Sequence, residues 1–563
     1  MENTNFVDLY TAEGEILTGQ PWNIYPRPQM RRDSFLCLNG EWEFSAAEKD
    51  HETIRVPFPP ESILSGIHRR LGHRPLLTYK KKFTLPEGFN KGRVLLHFGA
   101  VDQSASVSVN GKVVGKHRGG YEPFCFDITD HIKEENEITV VAADALDSFV
   151  YPYGKQCEKR GGMWYTPVTG IWQTVWLESV PETYIKSLHI ETGADYAEIT
   201  VDGITDGEVT VYAPESELTL DLKDGKVKIE LSKPRMWSPE DPYLYNFTVD
   251  TGDDKVESYF ALRTLTTEEV DGIQRLCLNG KPYFFHGLLD QGYWSDGLFL
   301  PATPEGYAQD ILAMKKLGFN TLRKHIKIEP EQFYYDCDRL GMIVFQDMVN
   351  NGDYNFVRDT AIPTAGVRTL PDIFMHTDKK TRQVFEESME KTVQQLYNHP
   401  CICYWTIFNE GWGQFCSAKM YEKMKKLDTT RFIDTASGWF AGAPSDVVSP
   451  HIYFKPVKIT PAKKPVLLSE FGGYSCKVAG HAFNLDNTYG YKNFDTMADF
   501  EDGIEKLYLE EIVPAIEKGL CGAILTQVSD VEDEVNGLVT YDRKVCKVSE
   551  ERMCAIAEKL VIE

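Results

Sequence analysis

Two glutamates in the C-terminal half of this 563-residue chain stand at the ends of apolar runs. Glu410 closes Tyr404-Trp-Thr-Ile-Phe-Asn-Glu410 and is followed by Gly411-Trp-Gly413; Glu470 closes Pro465-Val-Leu-Leu-Ser-Glu470 and is followed by Phe471-Gly-Gly473. A carboxyl that ends a strand and precedes glycine can meet a ligand with the backbone close by. Two such carboxyls on one cavity are what cleavage of a glycosidic bond needs. One stays ionised and the other holds a proton near neutral pH. A separation of about 5–5.5 Å would make the cleavage retaining. Other polar residues end neighbouring runs: His286 with Asp290 beyond it, Arg323-Lys324-His325, Gln346-Asp347, His451 with Tyr453 beyond it, and Thr526-Gln527. Arg323 and Tyr453 suit the orientation of Glu470, because a guanidinium holds a carboxylate ionised. His325 and His451 suit hydrogen bonds to sugar hydroxyls. Trp412, Trp439, Tyr293, Trp294 and Tyr474 offer apolar platforms for sugar rings. Each also has a plain structural reading, an ion pair for Arg323 and packing for the rest. His286, Asp290 and Asp347 lack a compact ligand spacing, so neither a metal nor a cofactor is expected.

These residues need a frame that brings strand ends together. From about residue 275, short apolar runs alternate with helical periodicity. Thr303-Pro304 reads as an N-cap with proline at the first helical position. Tyr307, Ile311 and Met314 then recur at helical spacing until Gly318. Further helices are expected over Pro330–Leu340 and over 381–398. Strands are expected at Tyr283–Phe285, Asn320–Leu322, Met342–Phe345, Ile402–Phe408, Phe432–Thr435, Val447–Ser449, Val466–Leu468 and Ala523–Leu525. Eight strands alternating with helices suit a closed (β/α)8 barrel, whose active site lies at the C-terminal ends of the strands. An open doubly wound sheet competes, but no glycine-rich phosphate turn follows the first strand. Ahead of the barrel, residues 1–180 carry many short strands and no convincing helix, with tight-turn dipeptides at Asn39-Gly40 and Asn110-Gly111; they read as a jelly roll. Residues 181–270 read as a small immunoglobulin-like sandwich, leaving 271–563 for the barrel.

The net charge of −24 disfavours nucleic acid and anionic membranes as partners. The N-terminus has no basic and apolar leader pattern, and no apolar run is long enough to span a bilayer. The twelve cysteines show no ligand or disulfide spacing. A cytoplasmic location and a homo-oligomer are expected.

The chain resembles glycoside hydrolase family 2, which contains β-galactosidases, β-glucuronidases and β-mannosidases. Leu38-Asn-Gly-Glu-Trp-Glu-Phe44, Phe98-Gly-Ala-Val-Asp102 and Gly170-Ile-Trp-Gln-Thr-Val-Trp-Leu-Glu178 are similar to its sugar-binding jelly roll. Trp237-Ser-Pro-Glu-Asp-Pro-Tyr-Leu-Tyr245 is similar to the end of its sandwich domain, and Leu278-Asn-Gly-Lys-Pro282 to the barrel entry. The resemblance implies a retaining exo-β-glycosidase acting on a small or oligosaccharide glycoside. It implies Glu410 as acid/base, Asn409 as the partner of the sugar 2-hydroxyl, and Glu470 as nucleophile.

The departures concern the sugar. A β-galactosidase of this family usually continues from the first strand as Gly-Val-Asn-Arg-His; here the stretch is Gly287-Leu-Leu-Asp-Gln-Gly-Tyr-Trp294. A β-glucuronidase carries an Asn-x-Lys clamp for the uronate, where this chain has Glu534-Val-Asn536. The eighth strand often ends in Trp; here it ends in Thr526-Gln527. A glutamate at 534 would repel a uronate, so a β-galactosidase-like activity is expected first, with β-glucuronidase or arabinosidase activity as the alternative. Lys324 and Arg543 are the cations that could stand in for the clamp. A carbohydrate-binding protein on an inactive scaffold is the reading from another class.

Overall fold

The computed structural model describes residues 6–562 except 47–50, 73, 146–147, 214–215 and 365–371. The N-terminal part packs a six-stranded antiparallel sheet on a four-stranded one. Strict alternation makes this possible: in Asn136–Ala143 and Ser104–Val109 every second side chain is buried. Trp42, Phe44, Tyr79, Leu96, Phe98, Val107 and Val140 fill the space between the sheets. At about 1.5–3 kcal/mol for each large apolar side chain, such burial is the main force holding the layers together. Asn110 and Gly111, both at positive φ, turn the hairpin between Ser104–Val109 and Lys112–Arg118, as expected. Asn39-Gly40 does something else. It splits the expected Leu36–Phe44 strand, sending Phe35–Cys37 into one sheet and Gly40–Ser45 into the other. The Asn39 amide ties the crossing down by donating to Pro21 O and accepting from Val175 N–H.

The second part is a sandwich of a three-stranded and a four-stranded sheet. Its last strand, Lys255–Phe260, was not expected from the sequence.

The third part is an eight-stranded parallel barrel. Its strands are β1 (Phe285–Asp290), β2 (Thr321–Lys324), β3 (Ile343–Asp347), β4 (Ile402–Asn409), β5 (Phe432–Ser437), β6 (His451–Ile452), β7 (Val466–Gly472) and β8 (Leu520–Thr526). Ladders run in the order 5-4-3-2-1-8-7-6. Loop bonds close the remaining seam, Gly438 N–H to Ser449 O at 2.9 Å and Asp446 N–H to Ile433 O at 2.9 Å, so neither edge is left open. The helix Glu305–Lys316 buries Tyr307, Ile311 and Met314 as the periodicity demands, though Thr303 makes no side-chain cap bond. The helix Lys379–Leu396 is capped by Asp378, whose carboxylate accepts from Thr381 N–H, and buries Phe385, Met389, Val393 and Leu396. Two strands differ from expectation. β1 starts at Phe285, so His286 lies within it and points into the helix layer, between Gly318 O and Tyr508 OH. β6 is the pair His451–Ile452, and Val448 makes only a single bridge to Val466. Among the described residues, no helix is long and apolar enough to cross a membrane.

Candidate active site

The C-terminal ends of β2, β3, β4, β6 and β7 converge on one polar cluster. Arg323, 1% exposed, is its hub. Its Nε donates to Asp347 Oδ1 at 3.0 Å, Nη1 to Glu470 Oε1 and to Ser469 O at 3.0 Å each, and Nη2 to Asn409 Oδ1 at 2.9 Å. One planar fork thus fixes groups from three other strands, which a lysine could not do. Tyr453 OH donates to the second Glu470 oxygen at 2.6 Å and lies 2.9 Å from Thr526 Oγ1. Burial alone would push the Glu470 carboxyl up, but His451, Arg323, His325 and the Tyr453 bond outweigh it and hold the group well below the usual carboxylate range. The permanent charge of Arg323 acts in this direction whatever the state of the histidines.

Glu410 has a sparser setting. Its backbone is left-handed, φ +51°, an uncommon state for a residue with a side chain. The glycines that follow are sterically required: a Cβ at Gly413 would come within 2.3 Å of Asn351 O. His451 Nδ1 lies 2.8 Å from Glu410 Oε1 and 3.5 Å from Glu470 Oε2, so the imidazole stands between the two carboxyls. One oxygen of each glutamate and one His451 nitrogen all lie within 4.8 Å of one another. That trio is the set in the cluster that could ligate a metal ion. His325 leans on Asp347 Oδ2 at 2.7 Å; burial and the nearby Lys155 oppose its protonation, while Asp347 favours it.

The structure therefore brings together Arg323, His325, Asn409, Glu410, His451, Tyr453 and Glu470. Trp439 borders His451, ring to ring at 5.9 Å. Gln527 and Glu534 form an adjoining wall: Gln527 Nε2 donates to Glu534 Oε2 at 3.0 Å and to Asn536 Oδ1 at 2.8 Å, and Tyr165 OH donates to Glu534 Oε2 at 2.7 Å. Asp290 is elsewhere. It pairs with Lys324 at 2.6 Å in the layer between barrel and helices, because consecutive strand residues face opposite ways and Arg323 faces inward. Lys324 also pairs with Glu329, and Arg543 pairs with Asp310 and lies 4.1 Å above the Trp294 ring, so neither is free to act as a clamp. Tyr293 and Trp294 pack against Phe299 and Tyr307, and Tyr474 against Phe494.

The roof over the cluster was not foreseen. Residues 148–169 leave the jelly roll and cross the barrel mouth. Tyr153 N–H donates to Asn350 O at 3.1 Å, and Gly352 N–H to Phe149 O at 2.7 Å. Thr166 N–H reaches Glu532 Oε1 at 2.9 Å. Trp164 stacks on Trp412 at 5.3 Å with 18° between planes, and Tyr354 meets both edge-on. From the other side, Tyr491 stacks on Tyr453 at 4.0 Å. The available signal was a long strandless stretch, rich in Tyr, Trp and Gly, inside a domain otherwise made of strands. Loops beyond about 12–15 residues are usually functional.

Comparison with known proteins agrees with this architecture. Residues 269–545 match the "Glycosyl hydrolases family 2, TIM barrel domain". Residues 70–169 match the "Glycosyl hydrolase 2 galactose-binding domain-like" model, and 183–263 match "Glycosyl hydrolases family 2". A β-galactosidase of Thermoanaerobacter pseudethanolicus is 26% identical over 421 residues, 70% of this chain and 53% of that protein. A β-glucuronidase of Bacteroides fragilis is 25% identical over 422 residues, 67% of this chain and 56% of that protein. The chain thus spans little more than half the length of these curated relatives. Among solved structures, an uncultured Clostridium sp. β-glucuronidase shares the fold with a TM-score of 0.73 at 20% identity, covering 95% of this chain and 99% of that one. With the three models matched in the order of the domains along the chain, the chain belongs to glycoside hydrolase family 2.

Proposed function

We propose that the protein is a retaining exo-β-glycosidase in which Glu470 is the nucleophile and Glu410 the acid/base. The observation that carries this reading is that one oxygen of each carboxyl lies within 4.8 Å of one of the other. Retaining enzymes hold theirs about 5–5.5 Å apart, whereas inverting ones need about 6.5–9.5 Å to admit a water. Ionised by Arg323 and aimed by Tyr453, Glu470 attacks the anomeric carbon while Glu410 protonates the departing oxygen. Water then releases the sugar, with Glu410 taking back the proton. Asn409, oriented by Arg323, is the group for the sugar 2-hydroxyl.

Hydrogen bonds supply a route to the acid form of Glu410. Ser469 Oγ donates to Ser449 O and Ser437 Oγ to Ser469 Oγ, while His451 Nε2 lies 2.9 Å from Ser437 Oγ and 3.5 Å from Arg323 Nη1. At 2.8 Å, His451 Nδ1 and Glu410 Oε1 can share a proton between them.

The exo reading is supported by the roof, which ties together loops after β2, β3, β4 and β8. That suits a dead-ended pocket better than an open groove. As for the sugar, Glu534 has its Oε2 taken by Tyr165 and Gln527 and belongs to the pocket wall. Relatives named β-galactosidase and β-glucuronidase keep both a neutral and an acidic sugar open. All twelve cysteines are free thiols, which suits a reducing compartment.

Proton NMR of aryl β-glycoside hydrolysis tests the mechanism. The first-formed sugar should be the β anomer; an α anomer appearing first would sink the retaining assignment.

A further inference from the structure

Among the described residues four lysines are buried: Lys155, Lys324, Lys327 and Lys547, at 8%, 1%, 2% and 2% exposure. Three are fully partnered. Lys324 pairs with Asp290 and Glu329, Lys327 with Glu329 and two carbonyls, and Lys547 with Asp530 and Val535 O. Lys155 differs. Among the described residues its ammonium forms no ion pair and donates no hydrogen bond; it lies 5.5 Å from the centre of the Tyr165 ring. Its Nζ is not sealed from solvent, and among the described residues no protein group competes with an anionic ligand for this charge.

Its position narrows the choice of ligand. Lys155 belongs to the roof, and its neighbour Gly154 presses on the loop after β2, where a Cβ would come within 2.9 Å of Ile326 O. Its own carbonyl accepts from Tyr165 N–H at 3.0 Å, which fixes it beside the phenol that bonds Glu534. The ammonium is near enough to oppose protonation of His325, a residue that also feels Glu470. Lys155 is therefore held between the loop after β2 and the Glu534 wall that follows β8. Trp164, Trp412 and Tyr354 gather on the Glu410 side, where the leaving group departs.

We propose that Lys155 reads the terminal sugar and that this sugar carries a carboxylate, so that β-linked uronic acids are preferred over neutral β-glycosides. The proposal rests on the retaining exo-glycosidase reading above. A uronate supplies the counter-ion that the fold omits, whereas a neutral hydroxyl leaves the ammonium uncompensated. Among the described residues Glu534 makes no ion pair with Lys155, and its Oε2 is directed to Tyr165 and Gln527 instead.

Nitrophenyl β-galacturonide, β-glucuronide, β-galactoside and β-glucoside are compared on the full chain, each uronide against its neutral counterpart. At least one uronide should exceed its counterpart in kcat/KM by ~10-fold or more. Lys155→Met should lower uronide turnover by ~100-fold, as loss of one partner of a buried charge pair does, and change the neutral sugars by less than about 5-fold. Lys155→Arg should recover part of the loss. Neutral sugars cleaved better by the unmodified protein, or equal losses for both classes in Lys155→Met, would make Lys155 a structural cation and overturn the proposal. Calorimetry with free galacturonate, glucuronate, galactose and glucose needs no turnover. Tighter binding of a uronate, lost in Lys155→Met, supports the proposal even if no glycoside is cleaved, in which case only the retaining reading fails. Uronates binding no better than the neutral sugars would sink it in either case.

Discussion

On the floor of the barrel mouth, Arg323 donates to Asp347, Glu470, Ser469 O and Asn409 at once. In the roof, Lys155 faces an aromatic ring and, among the described residues, forms no ion pair. The floor is made of strand ends, held in register by the barrel ladders. The roof is one segment of another domain, laid across four loops. A site that must repeat one bond-breaking step profits from the first construction, because groups locked by mutual bonds need no reorganisation at the transition state. A site that must choose its substrate profits from the second, because an unmet charge or an open ring face discriminates between ligands. If this division is right, changes in the floor should damage turnover of every substrate, and changes in the roof should alter the ranking of substrates.

The largest effects belong to the two carboxyls. Glu470→Ala should lower kcat by at least ~10⁴-fold on all glycosides, with azide recovering part of it as a glycosyl azide of inverted configuration. Glu410→Ala should cost ~10²–10⁴-fold for alkyl leaving groups and far less for dinitrophenyl ones, which depart without protonation. Near-normal turnover in a folded Glu470→Ala protein, or equal losses across leaving groups in Glu410→Ala, would break the floor's side of the comparison.

A smaller effect, and one with a pH signature, is expected from Arg323→Gln. In the intact site the Glu470 carboxyl is depressed, so it stays ionised far into acid and does not set the acid limb of the rate profile. Removing the guanidinium raises that pKa toward and above the ordinary carboxylate value. The acid limb should therefore move upward by about 1–3 pH units, with kcat at its optimum reduced on the order of 10²-fold. A reduced rate with an unmoved acid limb would show that Arg323 only braces the strands.

The same division explains what could be read from the sequence. Floor residues end apolar runs, and a parallel barrel delivers strand ends to one rim, so Glu410, Glu470, Arg323, His325, His451 and Tyr453 could be gathered from the one-dimensional pattern. The failures are matters of facing and of long range. Asp290 ends β1 but turns to the helix layer, since a one-residue change in register exchanges the two faces of a strand. Asn39-Gly40 looks like a hairpin turn and is a crossing between sheets. Lys155, Trp164 and Tyr165 lie in a segment with no period at all, and only the docking of one domain on another brings them within reach of strands far along the chain.

The smallest expected effect tests whether the roof also reads the leaving group. Trp164, Trp412 and Tyr354 form a trio of touching rings on the Glu410 side of the pair, and Trp164 and Tyr354 line a cleft of about 800 Å³ together with Tyr153, Arg160 and Asn484. Trp412 follows Glu410 by two residues, so if Glu410 is the acid, as proposed, the leaving group departs past these rings. An aromatic pair contributes about 0.5–1.5 kcal/mol beyond its buried area, or about a 2- to 10-fold change in an equilibrium. Trp164→Ala should therefore raise KM by about 2- to 10-fold for aryl and disaccharide substrates. Methyl glycosides, which do not reach the rings, should be unaffected, and so should kcat. Stability should fall little, because the ring packs on a surface segment and not in a domain core. A loss that is the same for methyl and aryl glycosides would mean that Trp164 only holds the roof down, and the specificity assigned to this segment would then rest on Lys155 alone.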